Sequence, residues 1–338
     1  LKISDLGEFP LIDRVARIVG VERADVVMGI GDDVAILDCG GEDWLLAKVD
    51  SQVEGTHYRT DLITPRQLGR RALAINLSDI AAVGGRPTHA LVSLALQADT
   101  DVAWVDELYR GLREEGDRFG VVVVGGNMAS SPGQAFIDVI VLGSVQRDHA
   151  ILRAGARPGD SVLVSGRLGD SAAGLRLLLD ASLQVSEAER EPLLARHLTP
   201  VPRLLESAVI AGSGLATAMI DLSDGLSSDI GHVCERSAVG VRLWEEQLPI
   251  SAGARHVAEL CNEPGWRLAL NGGEDYELCF TAPAADAGGL AARIEKQTGT
   301  AVTVVGEILP KDEGRWFVLK DGREVELGAG GWDHFAAG

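Results

Sequence analysis

Basic side chains are scarce in this 338-residue chain: 31 Lys and Arg stand against 50 Asp and Glu, a formal charge of −19. A surface that follows a nucleic-acid backbone needs clustered cations, so no nucleic-acid partner is expected. Aromatic residues make up only 4% of the chain, which leaves the core to aliphatic side chains. The four cysteines, Cys39, Cys234, Cys261 and Cys279, are far apart and show no CxxC spacing. That argues against a zinc site and for packing thiols in a reducing compartment. No apolar run reaches the length of a membrane span, and no basic-then-apolar pattern opens the sequence. The expectation is a cytoplasmic protein without a membrane partner. Low-complexity segments, heptads and solenoid repeats are absent as well.

What is present is ordinary globular composition, 46% hydrophobic and 24% charged, over a length that suggests two domains. Strand-like and helix-like segments alternate, indicating an α/β or α+β chain. Helices are expected near 10–19, 64–83 and 102–118, the second with Thr64 as N-cap, Pro65 in its first turn and Gly84-Gly85 as a stop. Strands are expected near 44–50, 89–96, 121–124 and 135–145. A polar stretch around 146–153 suggests a boundary, giving domains 1–148 and 149–338. Beyond it, helices are expected near 202–211, 225–236 and 286–297, and strands near 161–164, 240–244, 276–282, 301–308 and 315–320. The glycine-rich turn Gly166 to Gly174 between strand and helix offers free N–H groups suited to phosphate. It lacks the Gly-Lys-Ser/Thr of a Walker loop and the GxGxxG of a dinucleotide site.

The chemistry-bearing pattern is acidic. Ala218 to Asp221 is an apolar run ending in a carboxylate, and Ser223, Asp224 and Asp229 follow within a few residues. Asp33 stands before the apolar run Val34 to Leu37, Asp50 at the end of a strand, Asp79 inside a helix, and Glu274 with Asp275 before Tyr276 to Phe280. A single acidic turn is routine N-capping. Five at the ends of apolar segments suggest one convergent site for a hard divalent ion and phosphate. Asp33, Asp79 and Asp221 are therefore expected at one cleft, with Asp229 a solvated helix residue.

The blocks GIGDDVAIL, VDSQVEGTHY, RRALAINLSDIAAVGGRP, SGRLGDSAAGL, IDLSDGLSSDIGH, NGGEDYELCF and GWDHF, in this order along almost the whole chain, resemble the thiamine-monophosphate kinase family. The resemblance implies the two-domain fold of the aminoimidazole-ribonucleotide synthetase superfamily, with an N-terminal domain dimerising through its sheet and ATP between the domains. It implies Mg2+-dependent transfer of the ATP γ-phosphoryl group to thiamine monophosphate. By position, Asp33, Asp50, Asp79, Asp221 and Asp224 match metal ligands. Gly125, Gly126, Arg153 and Ser223 match ATP contacts, with Asn127 beside them. His57, Glu274 and Trp332 match substrate contacts. No general base is implied, because the acceptor is already a phosphate, largely dianionic near neutral pH.

Two positions depart from the family pattern. Asn127 stands where the family usually has Asp, so a carboxylate is lost. Lys48, in Lys48-Val49-Asp50-Ser51, replaces a hydroxyl residue two places before Asp50. Residues two apart on a strand share a face, so Lys48 is expected beside Asp50, as a fixed cation competing with or replacing a metal. The alternative is a lysine that snorkels to solvent and pairs with Glu42 or Asp43. With one charge lost at 127 and one gained at 48, the two changes are expected to belong together. They leave open a homologue acting on another phosphorylated acceptor, or one that binds nucleotide or thiamine phosphate without catalysis.

Overall fold

The computed structural model describes Ile3, residues 7–20 and residues 23–328. Trp332 and the GWDHF segment lie outside the described residues. The first half runs α1 (Glu8–Val19), β1 (Val26–Met28), β2 (Ala35–Leu37), β3 (Asp43–Val53), α2 (Pro65–Ala82), β4 (Arg86–Leu96), α3 (Val102–Phe119), β5 (Val122–Ser130) and β6 (Phe136–Gln146). The second half continues with β7 (Asp160–Ser165), α4 (Asp170–Leu179), α5 (Glu187–Leu198), α6 (Leu204–Ser213), β8 (Ala218–Asp221), α7 (Leu226–Ser237), β9 (Val239–Trp244) and α8 (Ala252–Leu260). It closes with α9 (Trp266–Asn271), β10 (Leu278–Pro283), α10 (Ala284–Thr298), β11 (Val302–Pro310), β12 (Arg315–Val318) and β13 (Glu324–Glu326).

Each half builds one sheet, in the orders β1-β2-β3-β6-β4-β5 and β13-β12-β9-β11-β7-β10-β8. Both are mainly antiparallel, the parallel pairs being β4 with β5 and β9 with β12. The long central strands alternate as a half-buried sheet should: in β6, Ile137, Val139, Val141, Gly143 and Val145 are buried and the residues alternating with them are more open. Helix α2 covers the buried face. It starts where the sequence puts it, with a capping box in which Thr64 accepts from the Gln67 amide and Gln67 accepts from the Thr64 amide.

Helix α2 also holds the halves together. Its Leu68, Leu73, Leu77 and Ile80 belong to the core under the first sheet, while Ala81 and Ala82 pack with Ile210, Met219 and Phe280 of the second half. Its crossing with α3 is very close. A Cβ on Gly69 would lie 2.0 Å from the Leu108 carbonyl oxygen, and one on Gly111 would lie 2.0 Å from that of Arg66. Gly69 and Gly111 are thus the points at which the two helix backbones touch.

Candidate active site

The two halves meet at a group of carboxylates delivered by three different elements. Asp221 ends β8, a strand whose four residues are all buried. Asp79 lies on α2, and Asp33 on the loop between β1 and β2. Ligand oxygens of these three residues lie within 4.8 Å of one another, and all three residues are buried. Each carboxylate is differently partnered. Ser78, one residue before Asp79, donates to Asp221 Oδ2 at 2.6 Å. The Arg153 guanidinium pairs with Asp33 Oδ1, its Nε at 3.2 Å, while the Arg153 amide donates to Asp32 Oδ2 at 3.1 Å. Lys48 Nζ stands 2.8 Å from Asp79 Oδ1 and 3.3 Å from Asp50 Oδ1.

This crowding has electrostatic consequences. Burial, then the neighbouring Asp33, pushes the Asp221 carboxyl up to about 7 against the opposing Ser78 hydrogen bond. Burial holds the Asp79 carboxyl well above its ordinary value, with Lys48 opposing and Asp50 and Asp221 adding to the rise. Burial and Asp33 raise Asp32 to about 6. For Lys48, burial favours the neutral amine, but Asp79 and then Asp50 outweigh it and hold the ammonium above its usual value. Asp33 Oδ2 is buried without a hydrogen-bond partner. An orphaned carboxylate oxygen on one of three clustered aspartates fits a hard divalent cation.

Beside this cluster lies a second polar network that bridges the halves. Glu274, at φ 58, donates its backbone N–H to the Ser223 carbonyl at 2.7 Å and so lies against the turn after Asp221. Arg71, 1% exposed on α2, donates to Glu274 Oε1, to the His197 carbonyl, and to Gln52 Oε1 of β3 at 3.3 Å. His197 Nδ1 lies 3.3 Å from Glu274 Oε2 and 3.1 Å from Ser171 Oγ. Burial, then the Arg71 charge, lowers the His197 pKa to about 4, with Glu274 opposing. Its stabilising contribution, about 3 kcal/mol, is therefore complete above pH 6.5 and is lost as pH falls through about 4. In a histidine NMR titration, His197 should show no titration between pH 8 and 5, and Arg71→Met should move its midpoint upward. A wild-type midpoint near 6.5 would refute this arrangement.

Family models for "AIR synthase related protein" match here, the N-terminal domain over residues 31–145 and the C-terminal domain over 157–318. The thiamine-monophosphate kinase of Escherichia coli (strain K12) is 40% identical over 332 residues, covering 98% of each chain. That of Aquifex aeolicus is 36% identical over 339 residues, covering 99% of this chain and 100% of its own. A solved structure described as AaThiL complexed with AMPPCP and TMP matches with a TM-score of 0.83 at 34% identity, over 99% of each chain. The chain belongs to the thiamine-monophosphate kinase family.

As a member of that family it carries the two-domain AIR-synthase-like fold that its sequence blocks imply, and among the described residues no helix is long and apolar enough to cross a membrane. The structure brings Asp33, Asp79, Asp221, Lys48, Asp50 and Arg153 together. Asp224 and Ser223 occupy the adjoining turn, half-buried. His57 sits in the turn after β3, where its Nδ1 accepts from the Val53 amide at 3.0 Å. In the neutral ring the hydrogen then lies on Nε2.

Several expectations need correction. Asp229 is not a solvated helix residue: it is 2% exposed, and its Oδ2 accepts from the amides of Asp224 and Gly225 at 3.2 and 3.1 Å. The start of α7 is thus capped by a side chain from inside the helix. The glycine-rich turn before α4 is not an open phosphate cradle. Asp275 fills it, accepting from Gly169 N at 2.8 Å and Ser171 N at 3.4 Å. Lys48 does not pair with Glu42 or Asp43. Asn127 is not beside Lys48 within one chain, because it pairs with Ser93 on the outer strand β5, three strands from β3. That is about 14 Å at ordinary strand spacing. Gly125 and Gly126 lie on the same exposed strand, and a Cβ on Gly126 would collide with the Val92 carbonyl oxygen at 1.8 Å. Close strand packing by itself thus requires that glycine. Sequence reading missed Arg71 and His197 altogether; an arginine at the core-facing side of an apolar helix was the one available signal for the first.

Proposed function

We propose that the chain transfers the γ-phosphoryl group of ATP to thiamine monophosphate, forming thiamine diphosphate, with Mg2+ as the resident metal and a homodimer as the working form. The observation that supports this most is the meeting of Asp33, Asp79 and Asp221 at the junction of the halves, beside Arg153, in a chain 40% identical to a thiamine-monophosphate kinase over 98% of its length. Asp33, Asp79 and Asp221 would hold Mg2+, with Asp50 and Asp224 at the margins of the site. When bound, the ion supplies charge neutralisation between two polyanions and polarises the transferring phosphoryl group.

The chain's own residues do the positioning. Arg153, fixed by Asp33 and by the hydrogen bond its backbone amide donates to Asp32, presents a permanent positive charge to the ATP phosphates. Ser223 and the exposed Gly125, Gly126 and Asn127 of β5 complete the nucleotide contacts in this reading. His57 and Glu274 are assigned to the acceptor, and Glu274, held by Arg71, offers its half-exposed carboxylate to the acceptor's cationic part; Trp332 is assigned to stack on the thiazolium ring. No side chain has to take a proton from a phosphate that is already dianionic, so alignment and charge carry the rate.

The open face of the first sheet supports the dimer: Val49, Val122 and Phe136 are exposed on β3, β5 and β6. An ATP co-substrate and four free cysteines support a cytoplasmic setting. The domains 1–148 and 149–338 share the site in this reading, the first giving Asp33, Lys48, Asp50 and Asp79 and the second Arg153, Asp221 and Glu274.

The test is an ADP-release assay with ATP, Mg2+ and thiamine monophosphate, run against other phosphorylated acceptors, with thiamine diphosphate identified as product. Turnover of roughly 1–100 per second is expected. Nucleotide binding with no product from any acceptor would favour the binding-protein alternative, which the Lys48–Asp79 pair keeps in view.

A further inference from the structure

We propose that Lys48 is a built-in cation of the acidic site: its ammonium occupies the place between Asp50 and Asp79, so that the chain holds a single divalent ion, at Asp33, Asp79 and Asp221. This rests on the reading that those three carboxylates bind a metal. The ammonium is 2.8 Å from Asp79 and 3.3 Å from Asp50, and the Lys48 side chain is only 20% exposed. It cannot withdraw easily. Lys48 lies in the middle of β3, paired with Val141 of β6, and Asp50 follows on the same face, paired with Val139. Val141 and Val139 are fully buried, so that face points at α2, which carries Asp79.

The ammonium already meets the two carboxylates that a second ion would need, Asp50 and Asp79. The unpartnered oxygens mark the place of the one ion. Asp33 Oδ2 is buried and unpartnered, and the bond from Ser78 to Asp221 engages Oδ2, leaving Oδ1. Asp50, the remaining carboxylate, faces the ammonium. A second divalent ion between Asp50 and Asp79 would have to displace a charge of its own sign.

The test counts Mn2+ bound to the full chain by electron paramagnetic resonance, without nucleotide or acceptor. The wild type should bind one tight ion, Asp221→Asn should lose it, Lys48→Ser should bind two, and Lys48→Arg, which keeps the charge, should stay at one. Two tight ions on the wild type, or an unchanged count in folded Lys48→Ser, would overturn the proposal. Should Lys48→Ser not fold, the wild type still decides. The Lys48 15Nζ resonance should keep its ammonium shift and slow exchange at Mg2+ saturation, and its displacement would overturn the proposal. The kinase reading fails separately: one bound ion with no thiamine diphosphate formed sinks that reading and leaves Lys48 standing. Normal turnover with two bound ions does the reverse. No bound ion at all would remove the metal site and the role of Lys48 together.

Discussion

Asp221→Asn should lower the rate of thiamine diphosphate formation by about 10²- to 10³-fold, the range seen when one preorganised electrostatic group is removed from a reacting centre. The same change should make the metal-free protein more stable. Burial and Asp33 raise the Asp221 pKa to about 7, so its charged form is disfavoured in the fold. The associated stability is complete below the unfolded value of 3.8 and lost as pH rises through about 7. At pH 8 the wild type bears the full penalty, and the amide removes it, a gain of about 1–3 kcal/mol. Asp229→Asn is the control. Asp229 is equally buried, but its carboxylate accepts from two backbone amides, a task an Asn oxygen can keep. Its activity should fall much less. Steady-state kinetics and thermal unfolding in chelator check both variants; equal losses of rate would show that Asp221 has no special place.

Gly69→Ala should destabilise the protein by about 2–4 kcal/mol, as overpacking at a rigid contact does. The added methyl meets a backbone carbonyl 2.0 Å away, not the flexible end of a side chain, so the two helices must separate. Gly111→Ala meets the same obstacle from the other helix. Because α2 carries Arg71, Ser78 and Asp79, any displacement that rescues the packing also moves the site. The expected result is a lower denaturant midpoint with an unchanged slope, together with lost activity. An unfolding free energy within about 0.5 kcal/mol of wild type would mean that the two helices do not cross this closely.

The acidic residues were legible because strand ends and helix caps advertise themselves locally. Ala218–Asp221 reads as a strand with a terminal charge, and Thr64 with Gln67 reads as a cap. Face-sharing along β3 was legible too, since alternation alone puts Lys48 beside Asp50. What stayed hidden depends on distance across the fold. Nothing in the order of residues places Asn127 three strands from β3, because the sheet order β3-β6-β4-β5 departs from chain order. Nor could it tell that Asp275 turns back onto the start of α4, over a hundred positions earlier, or that Asp229 caps its own helix. Short elements such as β1 and α9 fell below any periodicity that sequence can show.

Helix α2 is wedged between both cores, with every residue from Arg71 to Ala82 buried. For inheritance, this makes the molecule less modular than its two sheets suggest. A substitution on that helix is screened by two hydrophobic interiors and one catalytic cleft at once, so the halves can diverge only in step. Exchange of one half for that of a distant relative would bring in a helix fitted to another partner's surface.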